Sequence, residues 1–465
     1  RKIELLKSNG FNAIRCSHNP PSEKFLETCD RLGMLVIDEA FDQWEKPKNP
    51  DDYHRFFDEY WQKDFSSMIL RDRDHPCVIL WSLGNEIEER ADPAGLEIAK
   101  KLKSRANELD PSRAVTEAVC EFWDHPGRPW QDTAPTFALL DVGGYNYKWR
   151  EYENDHRQFP DRIMMGTESV PQEAYQNWQQ VEKHPYVIGD FVWTAMDYLG
   201  ESGIGHSRCD TGKDSQLEPW PWFNAYCGDI DLAGNKKPQS YFRDIVWNRS
   251  KIEMAVGAPH SPGCKETVSF WGWPDEQQSW TWPGNEGKTL NVTVYTRYPT
   301  IRLLLNGKIA GEKNLSDSSN LKASFQIPYQ PGELKAEAIE NGKEVAATAL
   351  TTTGSAKSIR LVADRPEIRA SRNDLAYVTV EVVDEKGNRV PNANIPLQFS
   401  ISGNGELAGT GNANPADMAS FKQPRRNSFR GRCLVILRPK GPAGTIILEA
   451  RATGLQAAQI TVHTK

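Results

Sequence analysis

Along the first 250 residues or so, short apolar runs alternate with longer amphipathic segments. The runs 11–15, 34–38, 78–82, 114–119, 142–145, 163–166 and 187–193 read as strands, being short, apolar and bounded by polar residues. Between them, 22–32, 55–71, 93–108 and 172–182 carry apolar residues at helical spacing. Strands alternating with helices predict a parallel sheet. Seven such strands behind an opening amphipathic helix, 1–8, predict a (β/α)8 barrel, with its first strand expected upstream of Arg1. A helix over 239–247 is expected to close that barrel. The stretch 197–238, with Trp220-Pro221-Trp222-Phe223, reads as a long functional loop over its mouth.

After residue 262 the apolar spacing changes to two. The runs 267–271, 290–295, 301–305 and 335–339, with Asn306-Gly307 and Asn341-Gly342 as hairpin signals, predict an antiparallel sandwich. The runs 359–363, 377–383, 397–401, 433–437 and 445–450, punctuated by turns at 384–388 and Gly403-Asn404-Gly405, predict another. The expected class is therefore α/β plus all-β: a TIM barrel over 1–252, then two immunoglobulin-like β-sandwiches over 262–353 and 355–465.

Composition narrows the partners. With 56 Lys+Arg against 63 Asp+Glu, mixed along the chain, there is no basic footprint for nucleic acid or an anionic membrane. The longest apolar runs fall far short of the roughly 18 residues of a membrane helix. The eight Cys show no C-x-x-C pair and no zinc spacing, and Cys209 and Cys227 are the pair for which a disulfide is conceivable. All 15 Trp precede residue 283, 11 of them before residue 250. The last four, Trp271, Trp273, Trp280 and Trp282, open the first sandwich and either pack that module or extend a binding surface.

Polar and aromatic residues collect just after the strand ends, where a barrel builds its active site. The strand from Cys77 ends in Asn85-Glu86, and the strand from Ile163 ends in Thr167-Glu168. As the fourth and seventh of eight strands these ends would face each other across the opening. Two carboxyl groups about 5 to 5.5 Å apart are what a retaining glycosidase uses, one protonating the leaving oxygen and one attacking the anomeric carbon.

Residues 12–20 (Asn-Ala-Ile-Arg-Cys-Ser-His-Asn-Pro) and 72–86 resemble the two signatures of glycoside hydrolase family 2, the β-galactosidase, β-glucuronidase and β-mannosidase family. The resemblance implies that Glu86 is the general acid/base, Glu168 the nucleophile and Asn85 the partner of the sugar 2-hydroxyl. It also implies that Arg15 pairs with Glu168, that His18 contacts the sugar, that Tyr147 donates to the nucleophile, with Tyr145 and Asn146 as rivals, and that Trp193 is a platform for a sugar face. Glu39, ending the third barrel strand, either faces the sugar or is structural. Glu117, Glu121 and Glu201 lack a matching signature and read as loop salt bridges. The chemistry requires Glu86 to have a raised pKa and Glu168 a lower one.

Some family members bind magnesium through a Glu and a His after the third strand. Here that place reads Ala40-Phe41-Asp42-Gln43-Trp44-Glu45, so no metal and no cofactor are expected. The resulting reading is a bacterial exo-acting β-glycosidase, periplasmic or secreted, able to form homo-oligomers, and acting on an oligosaccharide or other glycoside, most often a β-galactoside. Asn235-Lys236-Lys237 keeps a β-glucuronidase in play, since such enzymes use an Asn-x-Lys pair for the sugar carboxylate. A catalytically silent carbohydrate-binding scaffold is the rival from another class.

Overall fold

A computed structural model describes residues 1–210, 217–261 and 263–465. The centre of the expected long loop, 211–216, and the expected first residue of the second domain, 262, lie outside the described residues. By internal contacts the chain divides into two units, Arg1–Thr194 and Ala195–Lys465.

The first unit is one parallel sheet of seven strands in sequence order: β1 (Ala13–Arg15), β2 (Leu35–Glu39), β3 (Val78–Asn85), β4 (Ala114–Val119), β5 (Gly143–Asn146), β6 (Met164–Ser169) and β7 (Val187–Val192). β7 also approaches β1, so the sheet curls into a nearly closed barrel. α1 (Lys2–Ser8) precedes β1, and the six crossovers run through α2 (Glu23–Leu32), α3 (His54–Asp72), α4 (Pro93–Leu109), α5 (Ala134–Phe137), α6 (Tyr152–Gln158) and α7 (Ala174–Lys183). Local chemistry delimits these helices. Ser22 caps α2 by accepting from the Phe25 N–H at 3.3 Å, and Gly33 ends it at φ 68°, a left-handed turn that costs glycine nothing. Pro93 opens α4 at a position where its missing N–H is not needed. Inside the barrel, Ile37, Leu80, Val142 and Met165 form one apolar layer.

In the second unit, α8 (Pro238–Val246) packs on the first sandwich, with Phe242 against Trp273 and Tyr295 at ring-centroid distances of 5.5 and 5.3 Å. Ile252–Gly257, which the sequence pattern leaves outside any strand, pairs antiparallel with Thr289–Thr296 as part of this sandwich. Two four-stranded sheets enclose a core that includes Trp280 and Trp282. Asn306-Gly307 and Asn341-Gly342 turn with φ of 51° and 75°, and 52° and 74°, the paired positive angles of tight hairpins. The second sandwich stacks a four-stranded sheet on a five-stranded one around Val378, Phe399, Val435 and Leu448.

The disulfide differs from the expectation. Cys209 is bonded to Cys264, with Cα atoms 5.2 Å apart, and Cys227 is buried and takes no part in this disulfide. The cause is a pairing across 55 residues: Ser207–Asp210 runs antiparallel to Lys265–Val268, which sets Cys209 opposite Glu266 and beside Cys264. Nothing local in the sequence announces that ladder.

Candidate active site

Arg15 ends β1 and is buried at the centre of the site. Its Nε and Nη2 grip both oxygens of Glu39 at 2.8 and 2.9 Å. Nη1 donates to Glu168 Oε1 at 2.8 Å and to the Thr167 carbonyl at 3.2 Å, and Nη2 donates to Asn85 Oδ1 at 2.7 Å. All five N–H donors of the guanidinium are therefore used, by four side-chain oxygens and one backbone carbonyl from three other strands.

Glu39, at the end of β2, is fully buried. Besides Arg15, its Oε2 accepts from the Ser82 hydroxyl at 2.7 Å and its Oε1 lies 2.7 Å from His18 Nδ1. Burial pushes its pKa up, but the Arg15 charge and the His18 and Arg15 hydrogen bonds outweigh this and hold it at about 2. As a carboxylate it only accepts, so His18 carries its proton on Nδ1. Four donors saturate the two oxygens. Glu39 thus anchors the Arg15 guanidinium.

His18 follows β1, stacked on Trp193 with ring centroids 5.1 Å apart and planes 4° from parallel. Its Nε2 is 3.3 Å from Asn85 Nδ2 and 3.8 Å from Glu168 Oε1. Asn85 is equally committed: Nδ2 donates to Asp42 Oδ1 at 3.0 Å, and Oδ1 accepts from Arg15 and from Asn146 Nδ2 at 3.2 Å.

Glu86 and Tyr147 directly follow β3 and β5, with φ of 44° and 58°, in the left-handed region that side-chain-bearing residues rarely occupy. Backbone bonds hold both turns: the Glu86 N–H donates to the Ala118 carbonyl and the Tyr147 N–H to the Glu168 carbonyl, each at 2.8 Å. The Tyr147 hydroxyl then donates to Glu168 Oε2 at 2.5 Å. Glu168 thus has one oxygen on Arg15 and the other on Tyr147. Tyr145, one rival for that role, is buried instead against Phe137 and Asp155.

Glu86 has a different environment. Its Oε1 accepts from Asn146 Nδ2 at 3.1 Å. Burial first, and then the Glu168 charge, push its pKa up to about 7. Glu117, read as a loop salt bridge, sits in β4 wholly buried, and burial pushes it up to about 8. Glu121 does pair with Lys148, and Glu201 accepts from Tyr198.

Sequence reasoning treated Asn146 only as a rival of Tyr147 and missed Lys48. Asn146 ties Glu86 to Asn85 and is itself oriented by the Thr167 hydroxyl at 2.7 Å. Lys48 donates to Asp42 Oδ1 at 2.6 Å and to the Asn85 carbonyl at 2.9 Å. Asp42 is the acidic group that the segment after β2 brings to the site, and Lys48 and Asn85 already occupy it. That place does not suit a divalent metal. A lysine in a loop leaves no periodic trace; Asn146 could have been found from its place at the end of β5.

Comparison with known proteins accords with this geometry. Residues 1–203 match "Glycosyl hydrolases family 2, TIM barrel domain", residues 359–461 match "Glycoside hydrolase family 2 C-terminal domain 5", and residues 287–346 match a domain of unknown function. Beta-galactosidase BoGH2A of Bacteroides ovatus is 32% identical over 99% of this chain and 58% of its own length. A beta-glucuronidase of Paenibacillus borealis is 27% identical over 44% of this chain and 40% of its own. The crystal structure of a glycosyl hydrolase family 2 member from Bacteroides cellulosilyticus superimposes with a TM-score of 0.92 at 42% identity, covering 100% of this chain and 59% of that one. The chain thus spans less than two thirds of the length of these relatives. With both ends of the chain matched to the same family and the barrel carrying its two signatures, the chain belongs to glycoside hydrolase family 2.

Proposed function

We propose that the protein is a retaining, exo-acting β-glycosidase that hydrolyses terminal β-linked sugars, β-galactosides first, with Glu168 as nucleophile and Glu86 as acid/base. The observation that carries this reading is the contrast between the two carboxyl groups. Glu168 is held by Arg15 and Tyr147 as an oriented acceptor, whereas Glu86 has a pKa near 7 and keeps a proton to give. In the first step Glu168 attacks the anomeric carbon while Glu86 protonates the departing glycosidic oxygen, leaving a covalent glycosyl-enzyme. In the second, Glu86, now a base, takes a proton from water, which displaces Glu168 from the sugar. Arg15 and Tyr147 stabilise the Glu168 carboxylate as it leaves, and Trp193 with His18 supplies a flat wall for the sugar.

The β-galactoside preference follows the relative named above and one feature of the second unit. Lys236 is ion-paired with Asp244, Lys237 with Asp197 at 2.9 Å, and Asn235 hydrogen-bonds Asp231. The Asn-x-Lys reading for a uronate carboxylate therefore lacks free cations. Activity outside the cytoplasm is supported by the Cys209–Cys264 disulfide. Among the described residues no helix is long and apolar enough to cross a membrane.

The test is turnover of 4-nitrophenyl β-galactoside and β-glucuronide by the wild type and by Glu168→Gln. The variant is expected to lose about a thousandfold or more in kcat, on the scale seen when a covalent nucleophile is removed. Undiminished turnover by the variant would remove the nucleophile assignment, absence of turnover by the wild type would favour the silent-scaffold alternative, and faster glucuronide turnover would reverse the substrate preference.

A further inference from the structure

The second unit holds a groove that the proposed hydrolysis does not use. A cavity of about 280 Å³ is walled by Trp222, Tyr226, Trp273 and Phe429. It adjoins, across Tyr226, Lys237 and Arg430, a smaller one of about 80 Å³ that Arg389 and Arg432 line. The groove is built from the loop after the barrel, the front of the first sandwich and two loops of the second. The larger part approaches the roughly 300 Å³ at which small-ligand pockets begin, the size of a sugar unit with its substituents.

One group in this groove has an unmet demand, Arg389. Its neighbours are all neutralised: Arg430 by Asp275 at 2.7 Å, Arg432 by Glu381 at 2.9 Å, Lys236 by Asp244 and Lys237 by Asp197. Arg389 donates to the Arg430 carbonyl at 2.5 Å and has no carboxylate within ion-pair distance among the described residues. Burial, and then the Arg432 charge, lower its pKa to about 10, while Glu381 acts in the opposite direction.

We propose that this groove binds an acidic saccharide, its ring against the aromatic walls and its carboxylate or sulfate on Arg389. Aromatic side chains can flank the C–H surface of a sugar, and a planar guanidinium fits either oxyanion bidentately. This also absorbs the Trp-rich segment of the loop, Trp222, which the barrel chemistry leaves unexplained.

Calorimetric titration of the Glu168→Gln protein, in which turnover is blocked, tests it with digalacturonate, galactose 6-sulfate and galactobiose. At least one charged probe is expected to bind about tenfold or more tightly than galactobiose, to weaken with added salt, and to weaken about tenfold on adding Arg389→Met or Trp222→Ala. Whichever charged probe binds identifies the oxyanion. Arg389→Lys is expected to retain part of the affinity, and an unchanged melting profile of each variant rules out misfolding as the cause. Equal affinity for all three probes, no binding of either charged one, or indifference to both substitutions overturns the proposal. Hydrolysis of 4-nitrophenyl galactoside by Arg389→Met, in the otherwise wild-type protein, is expected to be unchanged. Failure of this site is thereby separated from failure of the glycosidase reading.

Discussion

Arg15 shows how one buried charge sets the character of three acids. Its guanidinium holds Glu39 at about 2 and orients Glu168, yet makes no hydrogen bond to Glu86, which burial carries up to about 7. Two consequences can be measured. With Glu86 in its proposed role as the acid, kcat/KM is expected to fall as pH rises through about 7, and Glu86→Gln is expected to abolish that limb along with most activity. The loss is expected to be smaller for aryl glycosides whose leaving groups need no proton. The same residue is expected to affect stability. Its folded pKa lies above the ordinary carboxyl value, so the native state loses stability as pH climbs from about 4 through about 7. Glu86→Gln, neutral throughout, is therefore expected to melt a few degrees above wild type at pH 8 and level with it at pH 4, read by differential scanning fluorimetry. An equal midpoint at pH 8 would contradict the buried-acid account.

At the level of elements, the apolar pattern located all seven barrel strands, and most ends fall within a few residues of their expected places. The exceptions lie on the side where the site is built. The apolar runs stop at Ser82 and Gly166, whereas β3 continues to Asn85 and β6 to Ser169, close to the ends read from the polar residues Asn85-Glu86 and Thr167-Glu168. There the side chains turn polar because they bond one another across the strand ends, so hydrophobic spacing stops reporting a ladder that still exists. α6, short and polar at Tyr152–Gln158, went unread for a related reason: only Tyr152 and Asp155 are buried. β5 offers a direct check on the closeness of the packing. A Cβ on Gly144 would lie 2.5 Å from the Glu117 carbonyl oxygen and 2.7 Å from Thr167 Cγ2. Since the first neighbour is backbone and cannot swing aside, Gly144→Ala is expected to destabilise the barrel by about 1–3 kcal/mol or more and to reduce activity through Thr167. Thermal melting with wild-type behaviour would show that the strands can part.

For the whole molecule, what matters is which distant segments meet. The Cys209–Cys264 bond closes a span of 55 residues, for which chain entropy gives a ceiling of about 4 kcal/mol. Cys264→Ser is expected to lower the unfolding temperature in non-reducing buffer, while Cys227→Ser, which touches no disulfide, is expected to leave sensitivity to a dithiol reductant unchanged. If Cys227→Ser removed that sensitivity, the pairing expected from proximity in sequence would be restored. The late tryptophans also resolve at this scale. Trp280 and Trp282 fill the first sandwich, Trp273 packs on α8 while lining the groove, and the question of packing or binding surface has a different answer for each.

Periodicity and a few glycine-bearing turns were enough to read a parallel α/β barrel followed by antiparallel sandwiches, because each strand's or helix's pattern is written in consecutive residues. The second signature placed Glu86, and the end of the strand from Ile163 placed Glu168, for the same reason. Contacts between residues far apart in sequence were legible only where the family resemblance supplied them, as for Arg15 and Tyr147 with Glu168. The four donors that surround Glu39 were not foreseen, Lys48 carries no local mark of its place, and the partner of Cys209 depends on a ladder to a strand more than fifty residues away. Local pattern records which face of an element is buried; which buried polar groups satisfy one another is settled only when the elements are assembled, since a hydrogen bond depends on distance in space and not on separation along the chain.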